Sequence, residues 1–128
     1  MPTRARTPEE LEALLEDAFV LRDREAVLQL FDPAAVLITA DGAPDNRGGE
    51  QIARVASLLW GHNRTYLADP RCVVQTRGTA LVLSQQAINV LRRNSDGTWR
   101  FAVCCLNLRT ATEWPPPVRN KAPRSDRA

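Results

Sequence analysis

The chain has 128 residues, 44% of them hydrophobic and 25% charged, with a formal net charge of +2, which is the balance of one globular domain. No apolar run approaches the roughly 18 residues of a membrane span, and "MPTRARTPEE" lacks the apolar core of a signal peptide, so a cytoplasmic protein is expected. Outside residues 1–7 and 111–128 there remain 11 basic and 13 acidic residues, so the basic excess belongs to the tails, and neither a nucleic-acid nor a membrane partner is expected.

Residues 1–6 read as a disordered N-terminus. Thr7-Pro8-Glu9-Glu10 then opens a helix, with Thr7 as cap, Pro8 at the first helical position and Glu10 completing a capping box. Leu11, Leu14, Leu15, Ala18 and Phe19 recur at helical spacing and make its apolar stripe. Asp23 caps a short second helix through Ala26, Val27, Leu30 and Phe31, which Asp32-Pro33 ends.

"AAVLIT" (34–39) reads as a buried strand, and "ADGAPDNRGG" (40–49) as a turn-rich loop. A third helix follows from about Glu50, burying Ile52, Val55, Ala56, Leu59 and Trp60 and stopping at Gly61 in the left-handed conformation. Residues 64–76, 79–93 and 98–109 read as three long strands joined at Arg77-Gly78 and Asn94–Gly97. Helices first and a meander afterwards predict an α+β domain, with three helices on one face of a curved, mostly antiparallel sheet. The domain spans residues 7–110, and the Pro/Arg-rich tail 111–128 reads as extended or disordered.

The last hairpin allows a register argument. If Arg93 faces Thr98, odd positions meet even ones, and two faces result. One carries Ser84, Gln86, Ile88 and Val90 with Phe101, Val103, Cys105 and Asn107. It turns polar away from the hairpin tip, as a ligand cavity does, and is expected beneath the helices. The other carries Leu83, Gln85, Ala87, Asn89 and Leu91 with Ala102, Cys104, Leu106 and Leu108, and is expected to pack on a twofold partner. Of the three cysteines, Cys104 and Cys105 are strand neighbours that point apart, so buried reduced thiols are expected, without a disulfide.

These segments resemble, in order, the nuclear transport factor 2-like superfamily in its SnoaL-like branch. "LEALLEDAFVLRDREAVLQLFDPAAVLIT" is similar to its helix, short helix and first strand, "RGGEQIARVASLLW" to its Arg-Gly-x-Glu-x-Ile helix start, and "LRRNSDGTWRFAVCCLN" to its closing hairpin. The resemblance covers about residues 7–110. It implies the cystatin-like cone: a strongly curved mixed sheet around an apolar cavity, closed by helices and often dimeric. Isomerase, cyclase, dehydratase and epoxide hydrolase activities occur in the superfamily beside non-catalytic members, so fold alone names no reaction.

Isomerase-type chemistry needs a carboxylate base in the cavity with hydrogen-bond donors beside it. In the three long strands the only carboxylate is Asp69, beside Pro70, and Asn107 stands where some cyclase-like relatives have an acid or histidine. An amide can orient a carbonyl but cannot take a proton. The remaining candidates for a base are His62, the only histidine, and Asp41 at the cavity mouth, followed by Asp45. Trp60, Tyr66, Gln86, Cys105 and Asn107 are the candidate ligand contacts. No phosphate loop, nucleophile elbow, Ser-His-Asp set or metal-ligand spacing occurs, so no cofactor or metal is expected. The reading is a homodimeric domain that binds a small, largely apolar molecule. Its alternative is a SnoaL-like lyase, isomerase or cyclase with His62 or an entrance Asp as base.

Overall fold

The computed structural model describes residues 4–39 and 45–107. Asp41 and the tail from residue 108 lie outside them, and so do the expectations placed there.

Helix α1 (Pro8–Leu21) starts as its sequence dictates, with the Thr7 hydroxyl accepting from the Glu10 N–H at 3.0 Å. The Glu10 carboxylate reaches back one residue beyond the cap, to the Arg6 N–H at 2.6 Å. Helix α2 (Arg24–Leu30) is capped by Asp23, which accepts from Ala26 N–H. Strand β1 (Phe31–Thr39) follows without a break, so Asp32-Pro33 sits inside a strand rather than ending a helix. Pro33 lies where the register of β1 slips between Phe31 and Val36, a place that needs no N–H donor.

A short β2 (Asn46–Arg47) leads to α3 (Gly49–Gly61) through Gly48. Gly48 has φ +84°, a left-handed value that a side chain would strain, and its N–H bonds to Ala35 O at 2.9 Å. The helix ends at Gly61 as expected, but Gly61 itself is not left-handed. The left-handed residue is Asn63, at φ 58°, a type that tolerates this region.

Four strands follow, where three were expected: β3 (Cys72–Thr76), β4 (Thr79–Leu83), β5 (Ala87–Arg93) and β6 (Trp99–Leu106). Residues 79–93 fold back at Ser84–Gln86 into a hairpin, with Leu83 paired to Ile88 and Thr79 to Arg92. That turn contains no Gly or Pro; it closes instead by Ser84 N–H to Ala87 O at 3.0 Å and by the Ser84 hydroxyl donating to the same carbonyl at 3.2 Å. The strand expected from residue 64 begins only at Cys72. Two N–H groups before it go to side chains rather than to a strand: Leu67 to Gln86 Oε1 at 2.8 Å and Ala68 to Glu16 Oε1 at 2.6 Å.

The sheet runs β2-β1-β6-β5-β4-β3, parallel only between β1 and β6. It begins earlier than expected, because Ala5, placed in the disordered N-terminus by its sequence, is buried and bridges to Trp99, whose N–H bonds Ala5 O at 2.9 Å. The three helices and the sheet enclose one core, with Leu11, Leu15 and Phe19 of α1 and Ile52 and Ala56 of α3 set against Leu91, Phe101 and Leu106. Among the described residues no helix is long and apolar enough to cross a membrane.

The two faces of the closing hairpin are exchanged relative to the register argument. Arg93 pairs with Trp99, and Leu91 with Phe101, but Val90 pairs with Val103, so Ala102 is an extra residue in β6. This bulge lets Phe101 and then Cys104 and Leu106 all point inward, beside Ala87, Asn89 and Leu91. Ile88, Val90, Val103 and Cys105 face outward. Ala102, Cys104 and Leu106 are therefore buried in the chain's own core, and cannot form the partner-binding face assigned to them.

Candidate functional site

On α1, Glu12 falls three residues before Leu15 and seven before Phe19, on the stripe that faces the sheet. The helix thus carries a carboxyl group into the core, where Glu12 is 0% exposed. Tyr66, from the segment after α3, donates its hydroxyl to Glu12 Oε1. Asn89, inward on β5, donates from Nδ2 to Glu12 Oε2 at 2.7 Å and to the Tyr66 hydroxyl oxygen at 3.3 Å. Cys104 is Asn89's cross-strand partner on β6. All four side chains are fully buried.

The electrostatics follow from that burial. Removal from water raises the Glu12 pKa above the usual carboxylate value, against the opposing pull of the Tyr66 and Asn89 hydrogen bonds. Burial, reinforced by the Glu12 charge, also pushes the Tyr66 phenol and the Cys104 thiol upward. Among the described residues no ion pair involves Glu12. Asn89 Oδ1 and Trp60 Nε1 are buried without hydrogen-bond partners. None of the four clustered side chains lines the nearby apolar void. The void between α1, α3 and the sheet, lined by Leu15, Phe19, Ile52, Leu59 and Leu106 among others, measures about 10 Å³, about the minimum for one water.

Larger space lies elsewhere. At the end of the sheet, the Ser84–Ile88 turn, Ile38 and Thr39 of β1, and Cys105, Leu106 and Asn107 enclose an open hollow of about 260 Å³. Its floor is apolar and its edge carries carboxamides. Gln86 is held rigidly there, accepting from Leu67 N–H and donating from Nε2 to Thr65 O at 3.4 Å, while its own carbonyl accepts from Asn107 N–H at 2.8 Å. Among the described residues, none that lines it is charged.

The expected ligand contacts therefore separate into two places. Gln86, Cys105 and Asn107 do meet, but in this outer hollow rather than inside the cone. Tyr66 lies in the interior cluster, and Trp60 packs edge-on against Phe19 with ring centroids 5.7 Å apart. His62 caps α3 through its N–H, its side chain exposed, and it lines neither place. Asp45, near the expected mouth, is exposed and paired with Arg47 at 3.4 Å. Glu12 and Asn89 were missed as site residues. Glu12's position on an otherwise apolar stripe was the available signal. Among the described residues no group of three or more His, Cys, Asp or Glu side chains could hold a metal ion.

No protein-family model and no curated protein matches the chain. Solved structures do. A ketosteroid isomerase-like protein from Erwinia carotovora atroseptica is similar at TM-score 0.63 and 22% identity, over 80% of this chain and 93% of that one. An NTF2-like protein with a cystatin-like fold from Novosphingobium aromaticivorans matches at TM-score 0.62 and 20% identity, over 78% of each chain. A protein of unknown function with a cystatin-like fold from Nostoc punctiforme matches at TM-score 0.62 and 14% identity, over 80% of this chain and 88% of that one. The chain has the cystatin-like fold of the NTF2-like proteins, as its motifs implied.

Proposed function

We propose that this chain is a homodimeric small-molecule-binding domain without catalysis of its own, and that its ligand sits in the hollow at the end of the sheet. One contrast supports this reading. The group suited to acid–base work, Glu12, is sealed in the core with both oxygens engaged, whereas the described residues that line the open space are all neutral. Such a lining can hold and orient a molecule but offers no general base. The test is ligand-observed NMR against a set of neutral single-ring fragments. Asn107→Leu should weaken any fragment that binds, and Glu12→Gln should leave its affinity unchanged.

A second reading takes its support from Glu12. A carboxyl with a raised pKa beside a tyrosine and an asparagine is the kind of group an isomerase, lyase or cyclase uses, and it would replace His62 and Asp41 as the base. The similarity to a ketosteroid isomerase-like protein favours the same direction. A turnover that Glu12→Gln abolishes would establish this reading and remove the first.

The dimer part rests on the outer sheet face. Val36, Val103, Val90, Leu81 and Val74 line up across five strands, with Ile38, Cys105, Ile88, Leu83 and Cys72 as the adjoining row. Ile88 and Val74 are more than half exposed, in a continuous apolar band of the kind that marks an interface. Two copies meeting on the valine row would border the hollow, since Ile38, Cys105 and Ile88 of the adjoining row also line it. Leu81→Arg, at a position already 37% exposed, should keep the fold and give a monomer by light scattering. A dimer of unchanged mass would move the interface off this face.

A further inference from the structure

The hollow carries enough chemistry to say what kind of molecule it takes. Its floor is Ile38, Ile88 and Cys105, and the side chains of Ser84 and Gln86 are already committed to Ala87 O, Thr65 O and Leu67 N–H. Gln85 and Asn107, both exposed, are the two lining carboxamides for which the described residues show no side-chain hydrogen bond. Each presents one carbonyl acceptor and one NH₂ donor side by side. Resting on the hollow being the binding site, we infer that its ligand is a small neutral ring compound bearing a carboxamide or lactam, which pairs a donor and an acceptor with Asn107 and Gln85 while its ring lies on Ile38 and Ile88.

Size and charge both point there. A volume of about 260 Å³ falls just under the roughly 300–1,000 Å³ of pockets for drug-sized molecules, so one ring and its substituent fill it. A carboxylate or an ammonium would give up water and meet no counter-charge among the described lining residues, which is unfavourable. An apolar ring without a polar head would gain nothing from either carboxamide. A planar amide satisfies donor and acceptor together.

Three probes of nearly the same shape test the point: benzamide, benzoate and benzamidinium, each titrated into the ¹⁵N-labelled full chain. Benzamide should shift the backbone signals of Ile38, Ile88, Cys105 and Asn107, with an affinity at least fivefold above the other two. Asn107→Leu should lower its affinity about fivefold while leaving the spectrum of the folded chain otherwise in place. If benzoate or benzamidinium binds at those residues as tightly as benzamide, the hollow is a site but the assigned class is wrong. If benzamide binds there and Asn107→Leu changes nothing, recognition by the carboxamide is overturned. If none of the three moves those signals, the hollow is not the binding site, and the reading beneath the inference fails with it.

Discussion

Replacing Glu12 by Gln should flatten the dependence of thermal stability on pH above about 4.5. The folded protein binds the Glu12 proton more tightly than the unfolded chain does, because burial raises the pKa above 4.5. The stability associated with the protonated group is therefore fully present below pH 4.5 and is lost as pH rises through the higher, folded-state pKa. Gln cannot ionise, so this loss should disappear, and at neutral pH the variant should melt at or above the wild type. Its geometry also suits the site: the amide oxygen can accept from Asn89 Nδ2 while its NH₂ donates to the Tyr66 hydroxyl, which turns from donor to acceptor.

Glu12→Leu is the necessary contrast. It removes the charge but strands the Tyr66 hydroxyl and the Asn89 amide in a fully buried place, at about 1–3 kcal/mol for each unsatisfied group. For a domain of this size that should lower the melting temperature by roughly 10–20 °C. The check is calorimetry or circular dichroism on the three proteins from pH 4 to 8. A slope retained by Glu12→Gln would assign the pH dependence to another group. A Glu12→Leu protein as stable as the wild type would mean that the cluster is not a connected hydrogen-bond unit.

The second large effect follows from the bulge at Ala102. Leu106→Arg should prevent folding, whereas Ile88→Arg should give a folded protein with altered association. Leu106 is 5% exposed in the core and Ile88 is 52% exposed on the outer face. An arginine at 106 loses the burial of a leucine, about 2–5 kcal/mol, and adds an uncompensated charge inside. The combination is comparable to the whole stability of a small domain, about 5–15 kcal/mol. Expression yield and far-ultraviolet circular dichroism separate the two variants. A soluble, folded Leu106→Arg protein would restore the face assignment that simple strand alternation predicts.

Local chemistry was legible in the sequence wherever it decides by itself. The caps at Thr7 and Asp23, the apolar stripes of α1 and α3, and the Asp96-Gly97 turn depend on residues within a few positions of each other, and they stand where their sequence puts them. The order of helices before strands and the motifs that resemble the nuclear transport factor 2-like superfamily were enough for the fold. The grouping of Gln86, Cys105 and Asn107 was also legible, since the bulge restores odd-to-even pairing beyond Val90.

What alternation cannot reveal is which side of the sheet the helices cover. Both faces of β6 are apolar, so the pattern is equally satisfied by either choice, and one extra residue at Ala102 reverses it for everything that follows. The turn at Ser84–Gln86 has the same character, because no residue in it demands a turn and the hairpin forms only by strands pairing with each other. The role of Glu12 was decided last of all. On one helix it is a charged residue beside leucines; its burial becomes tolerable only when Tyr66 and Asn89, 54 and 77 residues further along the chain, bring donors to its two oxygens. Long-range hydrogen bonds of that kind leave no local trace, and only the packed tertiary structure supplies them.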